Sequence, residues 1–171
     1  RENQTFSSGT KIQMKISIKE YKKIKNDGEL KKSKKTLTRY FNLYRRLAGF
    51  TLVKETGARE GKCIACSKIL ALECFSDGSI LNGRDFHASH YFDKDKYPNI
   101  EYYEDNVWLS CNRCNSHLGL HGNKPDYQPN LLKKIGQERF DKLILAKNTK
   151  KQLNILDIDR MIFEYRDKAK Q

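Results

Sequence analysis

Cys63-Ile-Ala-Cys66 and Cys111-Asn-Arg-Cys114 are two C-x-x-C pairs separated by 44 residues. Four thiolates at this spacing suit one tetrahedral site, and their sulfur donors select Zn²⁺ or, as second choice, an iron–sulfur cluster. Such a site ties distant stretches of chain together, so its formation is part of folding. A zinc ribbon that only holds shape would satisfy the same four cysteines. Cys74 is left over and reads as a small buried hydrophobe. A metal set plus one free thiol explains five cysteines better than disulfides do, which points to a reducing, cytoplasmic setting.

All four histidines, His87, His90, His117 and His121, fall within a window of 35 residues between or just after the two pairs. Asn106 and Asn115 share the window. Hydrolysis of a phosphodiester needs a base for water and a cation for the phosphate and the leaving oxygen. A histidine at a strand end supplies the base. An asparagine or histidine on a facing helix holds the cation. A hairpin followed by a helix brings the two together.

The segments Phe86-His-Ala-Ser-His90-Tyr91, Glu104-Asp-Asn106-Val and Cys111-x-x-Cys114-Asn115-x-His117 resemble the H-N-H, or His-Me finger, endonucleases. More closely, they are similar to the NinG (Rap) family of lambdoid phage recombination proteins. That family shows C-x-x-C, D-A-G-H-Y, E-R-N, C-x-x-C-N-x-H and a nearby G-N. It continues into an I-G-Q-E helix, here Ile135-Gly136-Gln137-Glu138, and an E-Y pair, here Glu164-Tyr165. The likeness covers roughly residues 60–168.

The resemblance implies an α+β fold with a zinc-clipped ββα core, flanking α-helices and a basic N-terminal arm. It implies His90 as general base, Asn115 as ligand of a catalytic Mg²⁺ or Mn²⁺, and Asn106 as brace of the loop that orients the base. Cys63, Cys66, Cys111 and Cys114 match structural zinc ligands. The match is imperfect in three places. His87 stands where the family has an acid, Ser89 where many H-N-H enzymes carry Asp, and two residues are inserted between His117 and Gly122-Asn123. The second protein ligand of the catalytic metal is therefore open among His87, Ser89 and Asp85, with His117 as a further ligand or supporting group. In an ideal strand His87 and His90 point to opposite faces, so bringing them together requires a bulge or a strand that ends at Ser89.

Four segments are expected to position these groups. Residues 1–36 read as a basic arm, with a strand at Lys11–Ile18 and a turn at Asn26-Asp27-Gly28. Residues 37–60 contain an amphipathic helix from about Leu37 to Val53, with Tyr40, Phe41, Tyr44, Leu47 and Ala48 on its apolar face. Residues 61–124 are the zinc-held module. Within it, a hairpin over Ser79–Tyr91 turns at Asn82-Gly83, a strand covers Val107–Ser110, and a helix starts near Cys114. In residues 125–171, Asn130 caps a helix reaching about Lys147, and a last helix starts at Asn154 with Asp157 as capping-box partner.

The formal net charge is +13, and residues 11–50 supply +10 of it from thirteen Lys/Arg and three Asp/Glu. A block of this size fits a polyanion, although a solvated lysine face is the ordinary alternative. Arg39, Arg45, Arg46, Arg84 and Arg113 are the candidate phosphate contacts, with little base reading. No apolar run approaches membrane-spanning length, and a segment upstream of Arg1 is left open. The expected activity is metal-dependent cleavage of DNA, branched by the family resemblance. A homodimer and a phage recombinase are candidate partners, in a bacterial or phage-encoded setting. Two alternatives stand beside it: an H-N-H nuclease on duplex DNA without branch preference, and a zinc module that binds nucleic acid without cutting.

Overall fold

The lysine-dense stretch expected to stay an arm is already helical: α1 spans Asp27–Leu47. The computed structural model describes residues 27–76, 79–117, 124–150 and 152–170; the strand expected at Lys11–Ile18, with His121 and Gly122-Asn123, lies outside them. Asp27 and Gly28, read as part of a turn, begin the helix instead. Leu37 and Phe41 are fully buried, with Leu30, Tyr40 and Tyr44 packed beside them. Lys31, Lys32, Lys34 and Lys35 stay exposed. That one-sided burial turns a charged sequence into a helix with a seat in the fold.

The helix stops at Leu47, short of the expected Val53, because residues 50–62 are used as strands. β1 (Phe50–Leu52), β2 (Arg59–Lys62) and β3 (Ile69–Leu72) form an antiparallel sheet in that order. A close approach holds the sheet to the rest of the core. A Cβ on Gly49 would lie 2.5 Å from the Leu109 Cβ, and one on Gly61 would lie 2.6 Å from both Leu109 Cδ2 and the Gly49 carbonyl. No larger residue fits at either position without displacing Leu109.

β4 (Phe86–His90) pairs antiparallel with β5 (Val107–Cys111), Phe86 opposite Cys111 and His90 opposite Val107. The hairpin expected at Asn82-Gly83 does not form. The Asn82 side chain is committed to the end of β3 instead, donating to the Ala71 carbonyl at 2.8 Å and accepting from the Glu73 N–H at 3.1 Å. The loop from residue 91 to 106 joins β4 to β5 and carries two 3-10 turns, Pro98–Ile100 and Glu104–Asn106. A π-helical turn, Arg113–His117, follows β5.

α2 spans Lys124–Asn148 and breaks at Gly136, whose φ of 78° and ψ of 166° leave the helical region. Asn130 lies inside α2 rather than capping it. Its amide donates to the Ile64 and Ala65 carbonyls at 2.9 and 3.1 Å, so it anchors the first knuckle. α3 (Ile155–Lys168) has the capping box read from Asn154 and Asp157, with both reciprocal bonds made.

Two buried clusters result. The first surrounds the cysteines and includes Phe86, Leu109, Tyr127, Leu131 and Leu143. The second joins α1 to α3 through Leu37, Phe41, Ile158 and Tyr165, with Tyr102 and Val107 below them. The apolar stripes of α1 and α3 are thus used inside the molecule. No helix among the described residues is long and apolar enough to cross a membrane.

Candidate functional site

The two knuckles meet where the start of β3 faces the end of β5. The sulfur atoms of Cys63, Cys66, Cys111 and Cys114 lie within 4.8 Å of one another. Cys66 Sγ and Cys111 Sγ are 3.8 Å apart. A tetrahedron with Zn–S bonds of about 2.3 Å has edges of about 3.8 Å, so these four cysteines could hold a metal such as zinc. The first knuckle closes through Cys63 N–H to the Lys68 carbonyl and Ser67 N–H to the Cys63 carbonyl, both 2.9 Å. Ile64 N–H donates to the Leu109 carbonyl at 2.9 Å and fastens the knuckle to β5.

Burial alone would raise the Cys63 thiol, but N–H groups of Cys66 and Cys111 and the Ser110 hydroxyl outweigh it and bring it down to about 7. Burial, followed by the neighbouring sulfurs, pushes Cys114 up. Burial also raises Cys66. The Cys63 thiolate forms readily, while Cys66 and Cys114 resist sharing its charge; a bound cation would reverse that resistance. Cys66 is exposed while its three companions are buried. Cys74, expected in the core, is exposed as well. It sits in an isolated bridge to Ile80.

His90 ends β4. Its Nε2 lies 3.0 Å from the Glu101 carbonyl. A carbonyl only accepts, so Nε2 carries the proton and Nδ1 keeps its lone pair. Burial holds the imidazole below its ordinary range, against the smaller upward pull of the Glu101 bond. The ring is therefore neutral at pH 7. Asn106, fully buried, holds the loop that presents this carbonyl. Its Oδ1 accepts from Phe92 N–H at 2.7 Å, and its Nδ2 donates to the Phe92 and Ile100 carbonyls at 3.1 and 3.2 Å.

The two residues before it anchor the same loop in other directions. Asp105 forms a two-pronged ion pair with Arg139 on α2, Arg139 Nε to Oδ2 at 3.1 Å and Nη2 to Oδ1. Glu104 receives Lys168 from α3 at 2.8 Å and the Tyr44 hydroxyl from α1 at 3.2 Å, with Arg45 at 3.5 Å. The sequence singled out only Asn106 of the three. Nothing local marks Asp105, whose partner lies 34 positions away.

His87 sits on the other face of β4. The pairing of β4 with β5 is unbroken across all five residues, so no bulge brings His87 round to His90. Its Nε2 stands 3.2 Å from Asn112 Oδ1, beside the second knuckle. Asn112 N–H in turn donates to the Asp85 carbonyl at 3.0 Å. Ser89 is 2 % exposed, and its carbonyl accepts from the Tyr127 hydroxyl, so it is closed to a solvent-borne cation. Asp85 is exposed. Asn115 is half-buried in the turn after Cys114, and the backbone of His117 ends that turn.

The expected single cluster is thus divided. His90 and Asn106 are joined through the loop between residues 91 and 106, while His87 and Asn112 are joined at the second knuckle. β5 enters that knuckle opposite Phe86, four residue steps from His90, or about 13 Å along the strand.

The arginines also divide. Arg39, Arg84 and Arg113 are exposed. Arg45, expected on a phosphate, is 6 % exposed and committed internally: Nε donates to the Val107 carbonyl at 2.7 Å, and the guanidinium lies over Trp108 at 4.6 Å. Its spacing in α1 points it at the β5 backbone rather than at solvent. Arg46 is intermediate, donating to the Gly83 carbonyl at 3.2 Å over the Phe86 ring.

No curated protein matches this chain. No solved structure matches it either. The family model described as Bacteriophage Lambda NinG protein matches residues 3–171. With the match running over nearly the whole chain, and the four cysteines it carries gathered in space, the chain belongs to the bacteriophage lambda NinG family.

Proposed function

We propose that the chain is a zinc-stabilised, metal-dependent DNA endonuclease of the H-N-H, or His-Me finger, type, acting on branched recombination intermediates. The observation that carries the reading is the state of His90. Its Nε2–H is fixed on a backbone carbonyl, its Nδ1 is bare, and burial keeps it neutral. A base that accepts a proton from water needs this combination. Asn106 is the positioning residue that holds the carbonyl-bearing loop. His87, Asn115 and His117 are the residues that would hold Mg²⁺ or Mn²⁺. For His87, the contact of Nε2 with Asn112 leaves Nδ1 as the donor atom. A catalytic cation would neutralise charge on the phosphate and on the departing oxygen; held at His87 it would lie on the face of β4 opposite His90. Arg39, Arg84, Arg113 and the lysines of α1 would hold the DNA backbone. Cutting two strands of a junction would call for a symmetric dimer.

The division of the site favours a second reading, a zinc module that binds nucleic acid without cutting it. One experiment separates the two. Wild type and His90→Ala are given a labelled four-way junction and the matching linear duplex, with Mg²⁺ or Mn²⁺ and with EDTA. The nuclease reading expects metal-dependent cleavage that falls about 10²- to 10⁴-fold in His90→Ala while DNA binding persists. The acid limb of the wild-type pH–rate profile should lie below the ordinary imidazole value of about 6.5. Cutting of the junction alone supports branch selectivity, and equal cutting of both substrates assigns a general nuclease. Binding without cutting supports the zinc module.

A further inference from the structure

We propose that the groove between the β1–β2 sheet, the first knuckle and the middle of α2 is a channel for the phosphate backbone of nucleic acid. It is a surface separate from the His90 and His87 clusters. The proposal rests on the nucleic-acid reading above and assigns a contact surface that neither the arm nor the arginines supply.

The groove encloses about 530 Å³. Gly49, Gly61 and Leu109 all line it, and the two glycines can carry no side chain there because a Cβ on either would collide with Leu109. The same close approach that holds the sheet to the core therefore fixes one wall of the groove. Lys62 enters from β2, and Lys133 and Lys134 from α2. All three are exposed. None forms an ion pair among the described residues. Lys134 Nζ rests 5.0 Å from the centre of the Trp108 ring, which fixes its ammonium at the groove wall. Glu60 is the one acid among the described lining residues.

The amide and threonine donors in the wall are committed elsewhere, and the exposed Ser67 hydroxyl stands beside the lysines. Asn130 gives its amide to the Ile64 and Ala65 carbonyls, and the Thr51 hydroxyl donates to the Glu60 carbonyl. The charged donors are all ammonium groups, which attract phosphate and read no base edges. An open trough with separated cations and no free amide suits a continuous polyanion running through it.

The test is salt-dependent binding of labelled duplex and four-way-junction DNA to the full chain. It compares wild type, Lys62→Glu/Lys133→Glu/Lys134→Glu, and the neutral triple Lys→Gln variant at the same positions. A control places the same charge reversal at Lys142, Lys150 and Lys170. The proposal expects at least a tenfold loss of affinity in the groove variants. The slope of log K against log salt should fall by about three in the Lys→Gln variant, with metal content and circular dichroism unchanged. Equal losses in the groove variant and the control would overturn it, because net charge alone would then explain binding. Wild-type affinity and slope in the folded Lys→Gln variant would also overturn it while leaving the nucleic-acid reading intact. A wild type that binds neither DNA overturns both.

Discussion

Around the knuckles, strands of three to five residues and one face of α2 enclose the first cluster, and four cysteines lie at its edge. Between α1 and α3, helices of 21 and 14 residues enclose the second, and carbon closes it. Phe41 meets Tyr102 and Tyr165 edge-on, with centroids 5.5 and 4.9 Å apart. Strands that short are marginal on their own, and an ion held by the four cysteines would stabilise the first region. Its energy is concentrated in a few bonds. The second region spreads its energy over many weak contacts. One region should fail all at once when a single component is withdrawn, and the other should weaken by degrees.

The sharpest way to break this contrast is to remove the metal. Chelation, or Cys63→Ser, is expected to forfeit about 10 kcal/mol of folding energy and to unfold the knuckle region. Helical dichroism from α1 and α3 should be lost only in part. Metal analysis of the purified chain should find about one zinc per molecule. Simultaneous loss of every spectral signal would show that the two regions are one cooperative unit.

Phe41→Ala attacks the other side. A fully buried ring is removed from the α1–α3 contact, at an expected cost of about 3–5 kcal/mol. Denaturant unfolding should show the loss with zinc still bound. Zinc released at the same denaturant concentration as helix loss would erase the distinction.

Glu104→Gln gives the smallest effect and tests the seam between the regions. Burial would raise the Glu104 carboxyl, but Lys168, Arg45 and Tyr44 outweigh it and hold the group below its ordinary range. A carboxyl depressed on folding stabilises the protein above its unfolded pKa, and the benefit fades as pH falls through the folded value. The variant should be about 1 kcal/mol less stable at pH 7. The difference should close in acid, as followed by urea midpoints at both pH values. A pH-independent difference would mean that packing, not charge, makes the seam.

The two regions also differed in how openly the sequence described them. The knuckles, the capping box of α3 and Asn106 were legible because each is a local pattern with a geometric demand. The β1–β3 sheet was not. Phe50-Thr-Leu52 and Arg59-Glu-Gly-Lys62 are too short for alternation to register, and they are strands because Gly49 and Gly61 let them lie against Leu109. Asn82-Gly83 imitated a hairpin turn, yet the partner of β4 arrives only after the loop from residue 91 to 106. Arg45 looked like surface because its burial depends on a carbonyl 62 positions away. At the candidate site, the loop brace could be read from the motif. The separation of His87 from His90 needed the strand register, because only an unbroken pairing excludes the bulge that would have joined them.

The pairing of α1 with α3 has a consequence for how the chain is made. Between Leu47 and Ile155 the ribosome must add 155 − 47 = 108 residues. At about 5–20 residues per second that takes about 5–20 s. For that interval Leu37 and Phe41 have no α3 to cover them, while the knuckle region, once Cys114 has emerged, can already bind its ion. The knuckle region, with any ion its cysteines take up, is thus free to form before the aromatic seam, which waits for Ile158 and Tyr165. Until then a nascent chain carries an apolar, lysine-edged stripe of the kind that chaperones hold and proteases cut.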